Sequence, residues 1–171
     1  PKNEPKIVLF FGNYNIVTNR EAVYAARDKV VDKVVQQYPN VKFQFIGANP
    51  PEDIDHPNME FLGFVERLEE YLRNCDVMIS PILAGWGMPT KIIESLGCGK
   101  QIVATETAAR GVPKKYKTLH IVDIEDFADK IVDLLKNGKP VDPVDFELLK
   151  QEFTWAGAIN KLADRIEQTI K

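Results

Sequence analysis

The residues best placed to do chemistry in this 171-residue sequence lie between Pro81 and Lys100. An apolar run ends at Ile82, a loop carrying Gly85 and Gly87 follows, and a helix is expected over Thr90–Gly97. Glycines let such a loop approach a ligand closely, because no Cβ stands in the way. A helix start presents free N–H groups and positive potential to an anion. Lys91 adds a full positive charge in the first turn, where the helix dipole disfavours it. A bound diphosphate would remove that conflict. Glu94 lies one turn on, on the same side as Lys91, and could accept two sugar hydroxyls. A plainer reading of the same residues stands beside this one: Gly85 and Gly87 serve a tight turn, and Lys91 and Glu94 are an exposed pair of small energetic value.

Other nucleotide and catalytic patterns are missing. The first strand runs into Gly12-Asn13-Tyr14-Asn15-Ile16, which lacks the three-glycine fingerprint of a dinucleotide site, and no Walker A pattern occurs. The two histidines, His56 and His120, stand near no hydrolase motif. Cys75 and Cys98 have no metal-ligand spacing and read as buried free thiols of a cytosolic domain. The net charge of -3 gives no footprint for nucleic acid. No apolar run reaches the length of a membrane span. The polar start Pro1–Pro5 has no signal-peptide character and no methionine, so an excised or processed chain is expected.

These candidate residues need a frame to position them. Hydrophobic residues at 44% and charged residues at 27% fit one ordinary globular α/β domain with a real core. The segments 7–11, 41–46, 59–62, 76–82, 101–105 and 119–122 read as strands. Helical patterns are expected at 20–38, 66–74, 90–97 and 125–136. In the first helix Val23, Ala26, Val30, Val34 and Tyr38 form one stripe, Asn19 is placed to cap it, and Glu21 suits the positive end of its dipole. Asn137-Gly138 reads as a glycine cap on the last of these helices. The tail 145–171 reads as two more helices, the last with Trp155, Ile159, Leu162, Ile166 and Ile170 on one face. Buried strands alternating with helices predict a doubly wound, Rossmann-like parallel sheet of about six strands with helices on both faces. Ligands then bind beyond the carboxyl ends of the strands, at the loops after Phe11, Ile46, Leu62, Ile82 and Thr105.

At Gly85–Gly99 the sequence resembles the C-terminal domain of family-4 retaining glycosyltransferases of the GT-B fold (glycosyl transferases group 1). The subgroup is the one with a G-x-G-x-x-x-K-x-x-E-x-x-x-x-G signature. The resemblance extends over nearly the whole chain, through Phe10–Asn13 with Asn19 and Ala22, Phe45–Gly47 with Pro50 and Pro51, Phe61–Val65, Asn74–Val77 with Pro81, Gln101–Thr105 with Gly111, and Phe153–Trp155. It implies that residues 1–171 form a donor-binding domain, with an N-terminal acceptor domain belonging to the same protein but absent from this chain. It implies that Glu94 binds the ribose hydroxyls and Lys91 stabilises the leaving nucleoside diphosphate. Gly85, Trp86, Gly87 and Met88 would meet the donor sugar and phosphates, Gly63, Phe64 and Val65 the base, Gly12 and Asn13 the first loop's side of the donor, and Thr90 a phosphate. The family needs no metal and no cofactor beyond its nucleotide-sugar donor.

Two departures from the family pattern stand out. Trp86 occupies the place of the first glutamate of an E-x7-E pair, and the first loop carries Asn13 and Asn15 in place of Arg and Lys, with Arg20 only at the helix start. The expected activity is sugar transfer by the full-length protein to a glycan or lipid-linked acceptor, and the fragment alone is expected to be inactive. The expected location is cytoplasmic, with any membrane contact made through the missing half. Two rival readings are a non-catalytic nucleotide-sugar-binding module and an α/β protein-interaction scaffold.

Overall fold

The computed structural model describes residues 4–138, 143–154, 156, 157, 159 and 160. Its elements are β1 (Lys6–Phe11), α1 (Val17–Ala26), a π-helical turn (Arg27–Val31), α2 (Asp32–Gln37), β2 (Val41–Ile46), β3 (Met59–Gly63), α3 (Leu68–Asn74) and β4 (Val77–Ser80). They continue with α4 (Thr90–Gly97), β5 (Gln101–Ala104), β6 (Leu119–Ile121), a 3₁₀ turn (Ile124–Asp126), α5 (Phe127–Asn137) and α6 (Pro143–Phe153).

The six strands form one sheet in the order β3-β2-β1-β4-β5-β6, and every pairing is parallel. Successive side chains of a strand face opposite ways, so β1 feeds two cores. Val8 and Phe10 meet Val23, Val30 and Val34 of the first helical segment and Ile131 of α5. Leu9 and Phe11 meet Leu72 of α3 and Ile92 and Leu96 of α4. Helices therefore cover both faces, as the doubly wound reading expects. The strand order reverses between β1 and β4, so the loops after these two strands part company there and leave a crevice.

Several local expectations are corrected. The first helix begins at Val17, three residues before the expected start, because the Ile16 carbonyl accepts from the N–H groups of both Asn19 and Arg20. Asn19 is thus inside the helix, not its cap, and only 4% exposed. Its amide donates instead to the Asn13 carbonyl at 2.8 Å, tying the β1–α1 loop down. Glu21 falls beyond the first turn, and Tyr38 lies just past the helix end. Gly138 keeps a φ of -55°, so the left-handed cap does not form; its N–H bonds Leu134 O at 2.7 Å in an ordinary helical turn.

The first tail helix packs on this domain. Leu148, Leu149 and Phe153 of α6 join the core beside α4. The buried Asp145 carboxylate accepts from the N–H groups of Lys117 and Thr118 at 3.0 and 2.8 Å and from the Thr118 hydroxyl at 2.7 Å. Asp145→Ala would leave these donors without a partner in a dry place, and each such loss is costly. The expected result is a loss of about 3 kcal/mol of stability, read from the urea midpoint; an unchanged midpoint would contradict the anchor. Of the last helix's expected stripe, Trp155, Leu162, Ile166 and Ile170 lie outside the described residues, and Ile159 is exposed. Cys75 is buried and Cys98 half-buried, and both are free; burial pushes the Cys75 thiol up to about 12.

Candidate functional site

The loops at the carboxyl ends of the strands are laced together by backbone hydrogen bonds. Gly12 N–H donates to Ile46 O at 2.8 Å, Tyr14 N–H to Ala48 O at 3.0 Å, and Gly47 N–H to Gly63 O at 2.8 Å. The loop after β4 is held from the other side. Thr105 Oγ1 donates to Ile82 O, and Arg110 Nη1 donates to Gly85 O at 3.1 Å. The Arg110 guanidinium also lies over the Trp86 ring, 4.6 Å from its centroid. Gly85 and Gly87 hold φ of 134° and 133°, a conformation that side chains rarely adopt.

Two clefts open between these loops. The smaller, of about 110 Å³, is lined by residues 85–92 of the loop and α4, with Thr18, Asn19, Thr107 and Arg110 among its walls. The larger, of about 440 Å³, is lined by Phe11, Gly12, Asn13, Ile46, Gly47, Ala48, Phe64, Val65 and Leu68. They adjoin at Gly12: a Cβ there would come 2.8 Å from Asn19 Nδ2 and 3.0 Å from Lys91 Cε. Lys91 therefore runs from the start of α4 back to the end of β1, and its ammonium sits 5.9 Å from the centroid of the Phe10 ring.

This placement decides the character of Lys91. It is half-buried, and its ammonium makes no hydrogen bond or ion pair among the described residues, so it is not half of an exposed pair with Glu94; its carbonyl accepts from Ser95 Oγ at 2.7 Å. Burial lowers its pKa from the ordinary 10.5, partly offset by the Glu94 carboxylate. A buried, unpaired ammonium is expensive unless an anion joins it. The backbone agrees. Of the first three N–H groups of α4, Thr90's bonds Met88 O at 2.8 Å and Ile92's bonds Pro89 O at 3.0 Å, while Lys91's has no partner among the described residues. The N–H groups of Trp86, Gly87 and Met88 are also without one among the described residues. The free donors here are thus fewer than at a bare helix start: among the described residues they are the N–H groups of Trp86, Gly87, Met88 and Lys91 and the Lys91 ammonium.

The expected residues fall into groups. Gly85, Trp86, Gly87, Met88, Thr90 and Lys91 share the smaller cleft, and Gly12, Asn13, Phe64 and Val65 share the larger. Gly63 stands behind the second group, with its carbonyl on Gly47 N–H. Glu94 lines neither cleft; it is exposed one turn along α4. Arg20 donates to Tyr14 O at 3.1 Å and braces the first loop without reaching either cleft. Thr18, Asn19, Thr107 and Arg110 were not among the expected site residues. The signal for Thr107 and Arg110 was positional: both follow β5, on a loop at the carboxyl edge of the sheet.

A six-stranded parallel sheet in this order, with two clefts meeting at its switch point, defines a Rossmann-like domain of the GT-B type. Residues 5–137 match the family described as glycosyl transferases group 1, and the chain belongs to that family. Solved structures share the fold. TarM of S. aureus, in a complex with UDP, superposes with a TM-score of 0.73 at 19% identity over 96% of this chain and 36% of its own. Anabaena HepE in complex with UDP gives 0.73 at 15% identity over 96% and 49%. The C-terminal domain of the Francisella tularensis group 1 protein LpcC gives 0.63 at 18% identity over 90% of both chains. The chain thus spans about a third to a half of the length of TarM and HepE. No curated protein matches it. Among the described residues no helix is long and apolar enough to cross a membrane.

Proposed function

We propose that this chain is the donor-binding domain of a retaining glycosyltransferase, with acceptor contacts supplied by an N-terminal domain of the same protein. The observation that carries this reading is the half-buried Lys91, whose ammonium has no hydrogen bond or ion pair among the described residues, at the junction of two clefts, one polar and one apolar-walled. A diphosphate fits the first, against Lys91 and the free N–H groups. A base fits the second, between Val65, Leu68 and Phe64, the last 77% exposed and free to close over a ring. That larger cleft has Asn13 as its one polar side chain and holds no carboxylate to meet the N–H donors of guanine. UDP, which the TarM and HepE structures hold, is accordingly the nucleotide we propose. Glu94, exposed near the helix start, takes the ribose hydroxyls that bridge the two.

As the bond between the sugar's anomeric carbon and the diphosphate oxygen breaks, negative charge grows on the leaving UDP. On this reading the Lys91 ammonium and the free N–H groups take up that charge, which is how fixed dipoles and cations lower such barriers. No metal or cofactor enters this proposal. The transfer itself is tested by assaying the chain joined to its acceptor domain with UDP-sugars and reading the anomeric configuration of the product by NMR. Retained configuration, with no turnover by the 171-residue chain alone, is expected; inverted product or full activity of the chain alone would overturn the reading.

The Lys91 environment fixes a pH dependence. The free protein's pKa at Lys91 is depressed, and bound diphosphate favours the charged form, so UDP affinity is full below the depressed value. Affinity then falls as pH rises through that value, before the ordinary lysine value of 10.5 is reached. Calorimetric titration of UDP from neutral to alkaline pH checks this. The Lys91→Arg variant should show no such fall, since arginine stays charged; a matching fall in both would point to another group.

A further inference from the structure

The smaller cleft holds a second cation that the proposed diphosphate contacts do not use. Arg110 is bound at Gly85 and Trp86 of its lining, whereas the Lys91 side chain runs to Gly12, which lines the adjoining larger cleft. A guanidinium carries five N–H donors; one is spent on Gly85 O, and no acid pairs with Arg110 among the described residues. The cleft lining contains no Asp or Glu at all. Besides the two cations, its hydrogen-bonding side chains are hydroxyls, an amide and the Trp86 indole, and the one carboxylate that acts on Lys91, that of Glu94, stands outside the lining. Trp86 adds a second feature. It is 93% exposed, yet its indole lies against the guanidinium with the rest of the ring surface open. An aromatic face fixed beside a planar fork suits a pyranose ring that bears an acid group: the ring lies on the indole and the carboxylate meets the fork in the paired geometry that arginine favours.

We infer that Arg110 is a specificity-determining residue for the donor sugar and that the sugar carries a carboxylate, as in a uronic acid. The inference rests on the donor-site reading above. Lys91 neutralises the diphosphate; Arg110 reads the substituent at the other end of the cleft, and Trp86 carries the ring between them.

The test compares UDP, UDP-glucose and UDP-glucuronate by calorimetry on the native chain, Arg110→Gln and Arg110→Lys. UDP-glucuronate is expected to bind about tenfold more tightly than UDP-glucose. Arg110→Gln should remove that preference, so that UDP-glucuronate loses about tenfold more affinity than UDP or UDP-glucose, and Arg110→Lys should keep part of it, because it retains charge without the fork. Both variants are exposed changes, and a melting curve confirms that they fold. Equal affinities of the native chain for the two sugars would overturn the inference while leaving the donor site intact. An equal loss of UDP and both sugars in Arg110→Gln would also overturn it, by moving Arg110 to the diphosphate. Failure of all three ligands to bind the native chain would instead remove the donor-site reading, and this inference with it.

Discussion

The Gly47→Ala variant is expected to lose about 3 kcal/mol or more of stability and to lose UDP binding with it. Gly47 holds φ of 147°, and a Cβ built there would come 1.8 Å from Gly12 O and 2.7 Å from Gly12 C. The obstacle is backbone, so no side-chain rotation relieves it. The Gly12 strand end is also held by its own N–H bond to Ile46 O, and Gly47 by its bond to Gly63 O. Making room for one methyl group therefore forces apart the ends of β1, β2 and β3 together. Those ends form the floor of the larger cleft and carry the point where Lys91 crosses to the smaller one. Urea denaturation and UDP calorimetry on the same sample read both effects. A variant as stable as the parent that still binds UDP would show that the two loops are not in the close contact described.

Lys91→Ala is expected to weaken UDP binding by about 2–3 kcal/mol, roughly a hundredfold, while leaving the fold as stable as before or slightly more so. The two halves of this expectation have one cause. In the free protein the ammonium is taken from water without a carboxylate in contact, so its removal relieves a cost. In the complex the same ammonium meets a diphosphate in a partly dry cleft, where a charge-assisted bond is worth most. A residue that served only packing would show the reverse, with lost stability and little change in affinity. Uridine, which lacks the phosphates, should bind the native chain and the variant alike. A loss of uridine affinity equal to that of UDP would place Lys91 at the base instead.

Much of this frame could be read from residue order. The segments read as strands at 7–11 and 41–46 match β1 and β2 within one residue: the apolar residues of β1 are continuous from Ile7 to Phe11, and in β2 Val41, Phe43 and Phe45 are buried with half-buried Lys42 and Gln44 between them. The start of α4 at Thr90 was legible from the proline before it and the glycine loop ahead of that. What could not be read depended on partners distant in sequence. An asparagine that caps a helix and one buried inside its first turns look alike in sequence; the carbonyl of Asn13 decides for Asn19. Arg110 looked like any loop arginine because Gly85, its partner, is 25 residues away. The lysine at 91 was visible as a charge in an unfavourable place, but its burial against Phe10 and Gly12 required the strand order. A glycine after a helix more often turns left-handed, whereas Gly138 follows the helical bond and a Cβ there would strike Leu134 O.

The most direct test of the donor site is the thermal stability of the chain titrated with UDP, with GDP and uridine as comparators, in the native protein, Lys91→Ala and Glu94→Ala. A ligand that binds only the folded state must raise the melting temperature by mass action. The donor-site reading predicts a clear rise with UDP, a smaller one with GDP and with uridine, and a UDP shift that shrinks in both variants. No rise with UDP at millimolar concentration, or an equal rise in the native chain and both variants, would contradict it.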